Sequence, residues 1–545
     1  MENTMTKILL SIWSFFSENI LISGVVVGIA LVFFHNIPKN RQRIKLLKAH
    51  RLLNKGYAER AKIIFSQILM DNKEDPTLSS KAHVGRAQTY FFDDDTNLDR
   101  AINDANEAIK RNNENGDAYL IRGKAFSLKN EHTQAIIDFS EALEHSTTQR
   151  KNTYLYRGIE HYILEDFDRA LEDYNHALKI KPKDVLTIGN RGVVYFKKGD
   201  FDRALDDFNQ ALKKKPKDII YLNNCGAVYN SKGNYDKAID SFDKAISLNP
   251  VYTAAYNNRG ITYHNKGNCD RAIEDYNTAI RLNQNYAIAY CNRGVAYSDK
   301  EEHDLAIIDF NKAIDLDPND AFAYFNRGTS YDDKGDHFRA IDDFNKALIL
   351  NPGLSIAYCN RGNSYQKTGN YGFAIEDYNT AIALNSAFCE AYNNRGSVYL
   401  ENNNFDLAIL DFNKAISLTP NYAPAYYNRG TLHSIKKEYD MAIMDFDKAI
   451  SLKSDYVAAF CNRGVAYYFK RNYDQAIVDF NKAISIDPND VNSFCNRSEV
   501  YNAKGDYCQA IKDVKTVLLL DPNNIVAKRL METINQLKQK KCLKK

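Results

Sequence analysis

Asparagine recurs at intervals of 34 residues through the middle and the end of the chain. A side-chain amide carries both a hydrogen-bond donor and an acceptor, so a row of amides can hold an extended peptide backbone without reading its sequence. A second interpretation is that asparagine is simply common at this position and contacts the neighbouring repeat. The sequence leaves both interpretations open. The ten positions are Asn190, Asn224, Asn258, Asn292, Asn326, Asn360, Asn394, Asn428, Asn462 and Asn496.

An arginine follows all of these asparagines but one, and an aspartate stands 16 residues after each arginine. The exception has Cys225 in the arginine position and Ser241 in the aspartate position, so both charges are lost together. Linked loss predicts an ion pair with a structural role, which fixes geometry more surely than it adds stability. We assign five such pairs: Arg259 and Asp275, Arg293 and Asp309, Arg327 and Asp343, Arg361 and Asp377, and Arg395 and Asp411.

Motifs of common enzymes are missing from the sequence. It contains no GxxxxGK(S/T) phosphate loop, no GxGxxG, no HExxH and no GxSxG. The 11 histidines form no metal-spaced pair, and the 9 cysteines include no CxxC, which indicates reduced thiols in a cytosol-like compartment. These features predict a protein that is not an enzyme and that uses no metal, no cofactor and no small-molecule substrate.

The repeated positions belong to a unit of two helices. Glycine recurs every 34 residues from Gly158 to Gly464, and Gly123, Gly85, Ala49 and Ser498 extend the series to fourteen units. Within one unit, apolar and small residues follow helical spacing in two groups, and Asn-Pro or Asp-Pro often ends the second group. One helix pair cannot bury its apolar face alone, so the pairs must stack as an α-solenoid.

The period and the Tyr–Gly–Tyr–Ala–Phe–Ala–Pro order resemble tetratricopeptide repeats. The resemblance implies an all-α, right-handed α-solenoid of about fourteen helix–turn–helix repeats over residues 42–524, followed by a capping helix and basic tail at 525–545. It also implies a protein-interaction scaffold whose asparagines face a concave groove. In that setting they are similar to the asparagine ladder of the O-GlcNAc transferase superhelix, which holds protein substrates.

The N-terminal segment 1–41 has the pattern of a membrane anchor. Residues 20–37 carry no charge, which predicts a transmembrane helix at about 19–37. A buried core helix and a cleaved signal peptide are the alternatives. Residues 39–62 carry a net charge of +8, so the positive-inside rule predicts a single-pass membrane protein with its repeat array in the cytoplasm.

Charge argues against a nucleic-acid partner. Outside residues 39–62 and the basic tail at 528–545, the chain carries 56 basic and 67 acidic residues, a net charge of −11. A solenoid that binds nucleic acid needs a basic stripe for the phosphates. We therefore expect protein clients, bound through extended or disordered segments, and a membrane contact through the N-terminal helix.

The predicted function is a membrane-anchored, non-catalytic scaffold. Two alternatives remain: an organelle protein-import or chaperone-type receptor, and a subunit of an envelope-assembly or secretion machine. In this family, the clamp that binds acidic chaperone C-termini needs lysine three residues before the glycine position and asparagine just after it. No unit here has both residues, so we do not predict such a clamp.

Overall fold

The computed structural model describes residues 38–71, 75–92, 97–146 and 148–543, and within these ranges it contains α-helices, one short 3-10 helix at Tyr90–Phe92 and no strand. The all-α solenoid is confirmed. The helices are α1 Pro38–Asn54, α2 Ala58–Asp71, α3 Pro76–Thr89, α4 Leu98–Arg111, α5 Gly116–Leu128, α6 His132–His145, α7 Arg150–Ile163, α8 Phe167–Ile180, α9 Val185–Lys197, α10 Phe201–Lys214, α11 Ile219–Ser231, α12 Tyr235–Leu248, α13 Thr253–Asn265, α14 Cys269–Leu282, α15 Ala287–Asp299, α16 His303–Leu316, α17 Ala321–Asp333, α18 His337–Leu350, α19 Ser355–Lys367, α20 Tyr371–Leu384, α21 Cys389–Glu401, α22 Phe405–Leu418, α23 Ala423–Ile435, α24 Tyr439–Leu452, α25 Val457–Phe469, α26 Tyr473–Ile486, α27 Val491–Lys504, α28 Tyr507–Leu520 and α29 Ile525–Leu543.

Odd-numbered helices up to α27 are the first helices of their repeats, and even-numbered helices are the second. Between the first and second helix of a repeat, one residue in the left-handed backbone conformation reverses the chain, as at Gly335 with φ of 83°. Glycine adopts this conformation without strain, and Glu301 adopts it with φ of 62° at the equivalent position. Side chains cap several helix starts: the Asp320 carboxylate accepts hydrogen bonds from the backbone N–H groups of Phe322 and Ala323.

Close packing within a repeat requires the glycine on the first helix. A Cβ atom placed on Gly294 would lie 2.7 Å from Cε1 of Phe310, which is fully buried on the second helix. The aromatic ring therefore occupies the space that a side chain on the first helix would need. This contact recurs along the array and explains why glycine and a bulky aromatic residue are paired 16 positions apart.

The second repeat corrects the sequence assignment of Gly85. A Cβ atom there would lie 2.3 Å from Phe65 of the preceding repeat, and not against an aromatic residue of its own repeat. The side chain of Arg86 binds Asp104 in the manner of the arginines that precede the glycine position. Ala87 and Ala105, both fully buried, thus replace the glycine and aromatic residue of other repeats. Two alanines thus fill the layer between the helices that glycine and an aromatic ring fill in other repeats.

The chain forms two compact units, one ending at Asn268 and the other beginning at Cys269. Within each unit, neighbouring first helices contact one another directly, whereas no comparable contact joins neighbouring second helices in the described ranges. Each unit is therefore tighter on its first-helix side. In the second unit, α29 covers the last repeat, because Ala527 and Ile534 are fully buried among Val514, Val517 and their neighbours.

The membrane segment was predicted at about 19–37, and those residues lie outside the described ranges. Within the described ranges, every helix is too short or too polar to cross a bilayer. Helix α1 begins at Pro38, a few residues before the array start at 42 that the sequence predicts. Proline fits the first position of a helix because the N–H that it lacks has no partner there.

Candidate functional site

The ten asparagines occupy one position, the sixth residue of each first helix from α9 to α27. All ten side chains are half-buried, so none is sealed in the core and none extends freely into solvent. This position therefore follows the first-helix side of each unit, where neighbouring repeats are in closest contact. We call it the asparagine row.

Several amides of the asparagine row contact the preceding repeat. The Nδ2 atom of Asn428 donates to Oδ1 of Asn393 at 3.0 Å, and that of Asn258 donates to Oδ1 of Asn223 at 3.0 Å. Asn462 donates to the hydroxyl of Tyr427 at 3.1 Å. The second interpretation from the sequence, contact with the neighbouring repeat, thus describes part of what these amides do. Such a bond also fixes the orientation of the amide group.

The amide oxygens differ along the row. Oδ1 of Asn394 accepts a hydrogen bond from Asn393, whereas within the described ranges those of Asn428, Asn462 and Asn496 accept none. An amide whose nitrogen is held by the preceding repeat presents its oxygen as an oriented acceptor. An extended peptide offers a backbone N–H at every residue except proline, so it can bind such acceptors in series.

An apolar row that the sequence analysis missed runs beside the asparagines in the second unit. Ile288, Phe322 and Ile356 are exposed by 51%, 57% and 48%, and each lies four residues before an asparagine of the row. Residues at i and i+4 share one face of a helix. The signal in the sequence was a large apolar residue at the second position of three successive first helices. This face therefore offers both amides and apolar surface.

In four of the five assigned pairs, the arginine binds the aspartate that the sequence analysis assigned to it. Nε and Nη2 of Arg361 donate to the two carboxylate oxygens of Asp377 at 2.8 and 2.6 Å, and Asp377 is buried. This two-point geometry joins the first and second helix of one repeat. It recurs in the pairs Arg293–Asp309, Arg327–Asp343 and Arg395–Asp411. The two residues of the fifth pair belong to different units. In the first unit Arg259 binds Asp243 at 2.5 Å, and in the second unit Asp275 is buried.

Each arginine also makes a third contact, which the sequence analysis did not foresee. Nη1 of Arg361 donates to Oδ1 of Asn345 at 2.5 Å, and Asn345 belongs to the second helix of the preceding repeat. Arg327 reaches Asn311 in the same way at 2.5 Å. The signal was an asparagine or aspartate two residues after most of the paired aspartates, as in Asp309–Phe310–Asn311. One guanidinium therefore connects three helices and two repeats.

Burial and pairing act in opposite directions on these charges. Hydrogen bonds from the guanidinium to Asp343, stronger than the effect of burial, raise the pKa of Arg327. Burial raises the pKa of the Asp377 carboxyl, and the hydrogen bonds from Arg361 oppose that shift. The arginines and aspartates thus form a half-buried electrostatic network between the first and second helices of each repeat that carries the pair. It holds the first helices in register and is not itself an exposed binding surface.

Exposed ion pairs add a further connection between repeats. Nζ of Lys300 lies 2.8 Å from Oδ1 of Asp270, and Lys266 lies 2.6 Å from Asp236 in the first unit. The equivalent positions Thr368 and Phe338 cannot form this pair. There a partly buried cluster around Asp332 replaces it.

In that cluster, the Asp332 carboxylate accepts hydrogen bonds from Ser364 at 2.7 Å and Lys367 at 2.9 Å, and it lies 2.7 Å from Nδ1 of His337. The cluster joins α17 to α19.

The buried cysteine thiols on the first helices are poor nucleophiles. Burial raises the pKa of the thiols of Cys291 and Cys359 to about 12, which keeps both protonated at neutral pH. Within the described ranges, one group has the composition of a metal site: Glu141, Glu144 and His145 on the surface of α6. Acidic groups one turn apart on an exposed helix are common without a metal.

Comparison with known proteins identifies repeats along most of the chain. The model described as Tetratricopeptide repeat matches residues 186–218, 287–320, 355–388, 389–422, 423–456 and 457–490. Related repeat models match 92–149, 153–184, 226–267, 262–301 and 310–342. Together these segments cover well over half of the sequence.

Similar proteins include one curated relative and two solved structures. The chain is 30% identical over 114 residues to the DnaJ homolog subfamily C member 7 homolog of Schizosaccharomyces pombe, an alignment that spans 19% of this chain and about a quarter, 24%, of that relative. The crystal structure of the APC/C hetero-tetramer Cut9–Hcn1 is 18% identical, with a TM-score of 0.53 over 92% of this chain and 98% of that chain. The crystal structure of yeast Tom70 is 17% identical, with a TM-score of 0.40 over 78% of this chain and 97% of that chain.

Proposed function

We propose, since this chain belongs to the tetratricopeptide repeat family, that it is a non-catalytic scaffold that binds extended segments of client proteins along its first-helix face. The single observation that supports this most is the asparagine row, whose amides are half-exposed at one position of ten first helices. Many weak contacts in series give avidity when one client segment spans several repeats.

The adjacent apolar row narrows the client chemistry. A segment that runs past Asn292, Asn326 and Asn360 also passes Ile288, Phe322 and Ile356. In an extended chain, alternate side chains lie on the same side. A client with apolar residues at alternating positions and little charge satisfies both rows at once.

A substitution experiment tests the asparagine row. The full chain with Asn326, Asn360 and Asn394 changed to Ala should bind a labelled, uncharged peptide of alternating apolar and polar residues at least tenfold more weakly, as measured by fluorescence anisotropy. The matched control changes Ser417, Ser451 and Ser485 to Ala; these hydroxyls lie on exposed second-helix faces and donate only within their own helices. Equal affinity of the wild type and the asparagine variant refutes the proposal.

The anchor is the second part of the proposal. We propose that residues 19–37 span a membrane as a single helix, with the array on the cytoplasmic side. The uncharged run from Ile20 to Ile37 and the basic flank after it support this arrangement. The scaffold would then hold its clients next to that membrane.

A chaperone-type receptor is the second candidate function, and the match to a DnaJ homolog favours it. An envelope-assembly or secretion subunit is the remaining alternative. A receptor of the chaperone type should bind a peptide that ends in an acidic C-terminal sequence and lose that affinity when the C-terminal carboxylate is amidated. A scaffold that uses the asparagine row should bind internal segments without regard to a free carboxylate.

A further inference from the structure

Exposed apolar residues form a stripe at equivalent positions on three successive second helices of the second unit. Its five residues are large, and their exposures are 47%, 63%, 50%, 65% and 56%. We call this set the outer stripe. It consists of Leu407 and Leu410 on α22, Met441 and Met444 on α24, and Val478 on α26.

The stripe replaces a charged surface. The position of Leu410, Met444 and Val478 is acidic in six other repeats, at Glu172, Asp206, Asp240, Glu274, Asp342 and Glu376. The solenoid therefore folds with a carboxylate at this position, and the apolar residues are not needed for packing within the repeat. Large apolar residues that are exposed at the same positions of successive helices are a mark of an interaction site.

A basic row borders the stripe on one side. Lys414, Lys448 and Lys482 are exposed, and each lies four residues after a stripe residue on the same helix face. Within the described ranges, none of the three ammonium groups lies within 4 Å of a carboxylate. The surface thus combines an apolar band with an uncompensated positive edge, so it is complementary to an apolar band with a negative edge.

The backbone of the partner must satisfy its own hydrogen bonds. The five residues of the outer stripe present methyl, methylene and thioether groups and no hydrogen-bonding side chain. An extended peptide laid across it would lose hydrogen bonds to water without replacing them. An α-helix satisfies its backbone internally and can present an apolar face to such a surface.

From these observations we propose that the outer stripe binds an amphipathic α-helix of a partner protein whose apolar face is flanked by acidic residues. Methionine suits this role because its flexible, polarisable side chain adapts to different partner surfaces. The site is separate from the first-helix face. The chain can therefore bind an extended client on one side and a helical partner on the other.

Peptide binding to the full chain tests the assignment. The probe is a labelled helical peptide of three heptads with leucine on one face and glutamate along its flank; a matched peptide carries lysine in place of glutamate. We expect the glutamate peptide to bind at least tenfold more tightly, with an affinity that falls as salt rises. The triple variant Leu410→Glu, Met444→Glu, Val478→Glu should abolish binding and remain folded, because other repeats carry acids at this position.

Two further variants make the test specific. Ile308 is 61% exposed and stands at the equivalent position of another repeat, but the repeats before and after it carry Glu274 and Asp342 there. Because Ile308 lies outside the outer stripe, Ile308→Glu should leave the affinity for the glutamate peptide unchanged. Reversal of the basic edge with Lys414→Glu, Lys448→Glu and Lys482→Glu should transfer the preference to the lysine peptide. Binding that ignores peptide charge, or that survives the apolar triple variant, overturns the proposal.

The other possible occupants give distinct results, and each of them also overturns the proposal. If a second copy covers the stripe, the full chain sediments as a dimer and the apolar triple variant as a monomer, with no affinity for either peptide. If the stripe contacts lipid, phosphatidylcholine–phosphatidylserine vesicles bind the wild type and not the triple variant, in a chain whose residues 19–37 have been removed.

Discussion

Arginine in this array is a connector between helices, and the exception at Cys225 shows what happens without it. Cys225 is buried, and burial raises the pKa of its thiol to about 12, so the position carries no charge. Ser241, in the aspartate position, turns back to bond the carbonyl of Lys237 at 2.8 Å. The repeat keeps its helices without the pair. The pair thus adds specificity to a fold that packing alone can form.

The natural exception supplies a test of the pair. Arg361→Cys or Asp377→Ser alone should lower the free energy of unfolding by about 2–4 kcal/mol, because each leaves a buried charge without its partner. The double variant Arg361→Cys, Asp377→Ser should lose clearly less than the sum. Urea denaturation followed by circular dichroism measures all four proteins. Strictly additive losses would show that the two residues do not interact.

The hydrogen bonds of the Asp332 carboxylate predict that the free energy of unfolding depends on pH. Burial favours its neutral form, but hydrogen bonds from Lys367, Ser364 and His337 outweigh burial and lower the pKa of the carboxyl from its ordinary value of 3.8. A lowered pKa means that the folded state binds the proton less readily than the unfolded chain. The stabilisation is therefore complete above pH 3.8 and is lost as the pH falls through the lower, folded value.

The variant Asp332→Asn tests this direction. It should be less stable than the wild type by about 1–3 kcal/mol at pH 7, since the charged hydrogen bonds are lost. The difference should narrow steadily as the pH is lowered from 5 to 3. Denaturation midpoints at several pH values give the comparison, and Asp336→Asn on the exposed cap of α18 is the control. A difference that does not change with pH contradicts the assignment.

At the scale of the helix, glycine has two different uses. A Cβ atom on Gly396 would lie 2.8 Å from Cε1 of Phe412, whereas one on Gly372 would meet nothing within 4 Å. Gly396→Ala should therefore destabilise the array by about 1–3 kcal/mol through overpacking. Gly372→Ala should stabilise it by about 0.5 kcal/mol, because alanine favours the helix. Thermal unfolding distinguishes them, and equal shifts would show that α21 and α22 are not held closely.

The helices could be predicted from the sequence because each repeat carries its own signals. Helical spacing is evident in the positions of Tyr290, Gly294 and Tyr297, and a proline follows the end of many second helices. Contacts between repeats could not be predicted, because 34-residue periodicity fixes what recurs and not which neighbour each side chain meets. Arg361 reaching Asn345, and Asn428 reaching Asn393, follow from stacking geometry. The replacement of Gly85 by Ala87 at the glycine position is likewise visible only in the packing of Gly85 against Phe65 and in the contact of Arg86 with Asp104.

We propose that the whole chain combines two binding surfaces with a membrane anchor, and these features suggest how it would work. The first-helix face offers amides and apolar residues, and the outer stripe offers apolar residues with a basic edge. Most repeats are joined to the next by a half-buried arginine, and often by an exposed lysine as well. Rigid spacing of repeats is what lets weak contacts at successive repeats act together on one partner.

The anchor provides the prediction for the whole molecule. Val27→Arg combined with Leu31→Arg places two charges in the segment 19–37, at about 2.5–3.5 kcal/mol each for a helix at the bilayer centre. The array of this variant should move to the soluble fraction after alkaline carbonate extraction, whereas the wild type and the control Ser11→Arg remain in the pellet. Protease added outside intact cells should leave the wild-type array uncut and should cut it after the plasma membrane is opened. Cleavage of the array in intact cells would place it on the other side of the membrane and favour an envelope-assembly role. Extraction of the wild-type protein by carbonate would refute the proposed anchor.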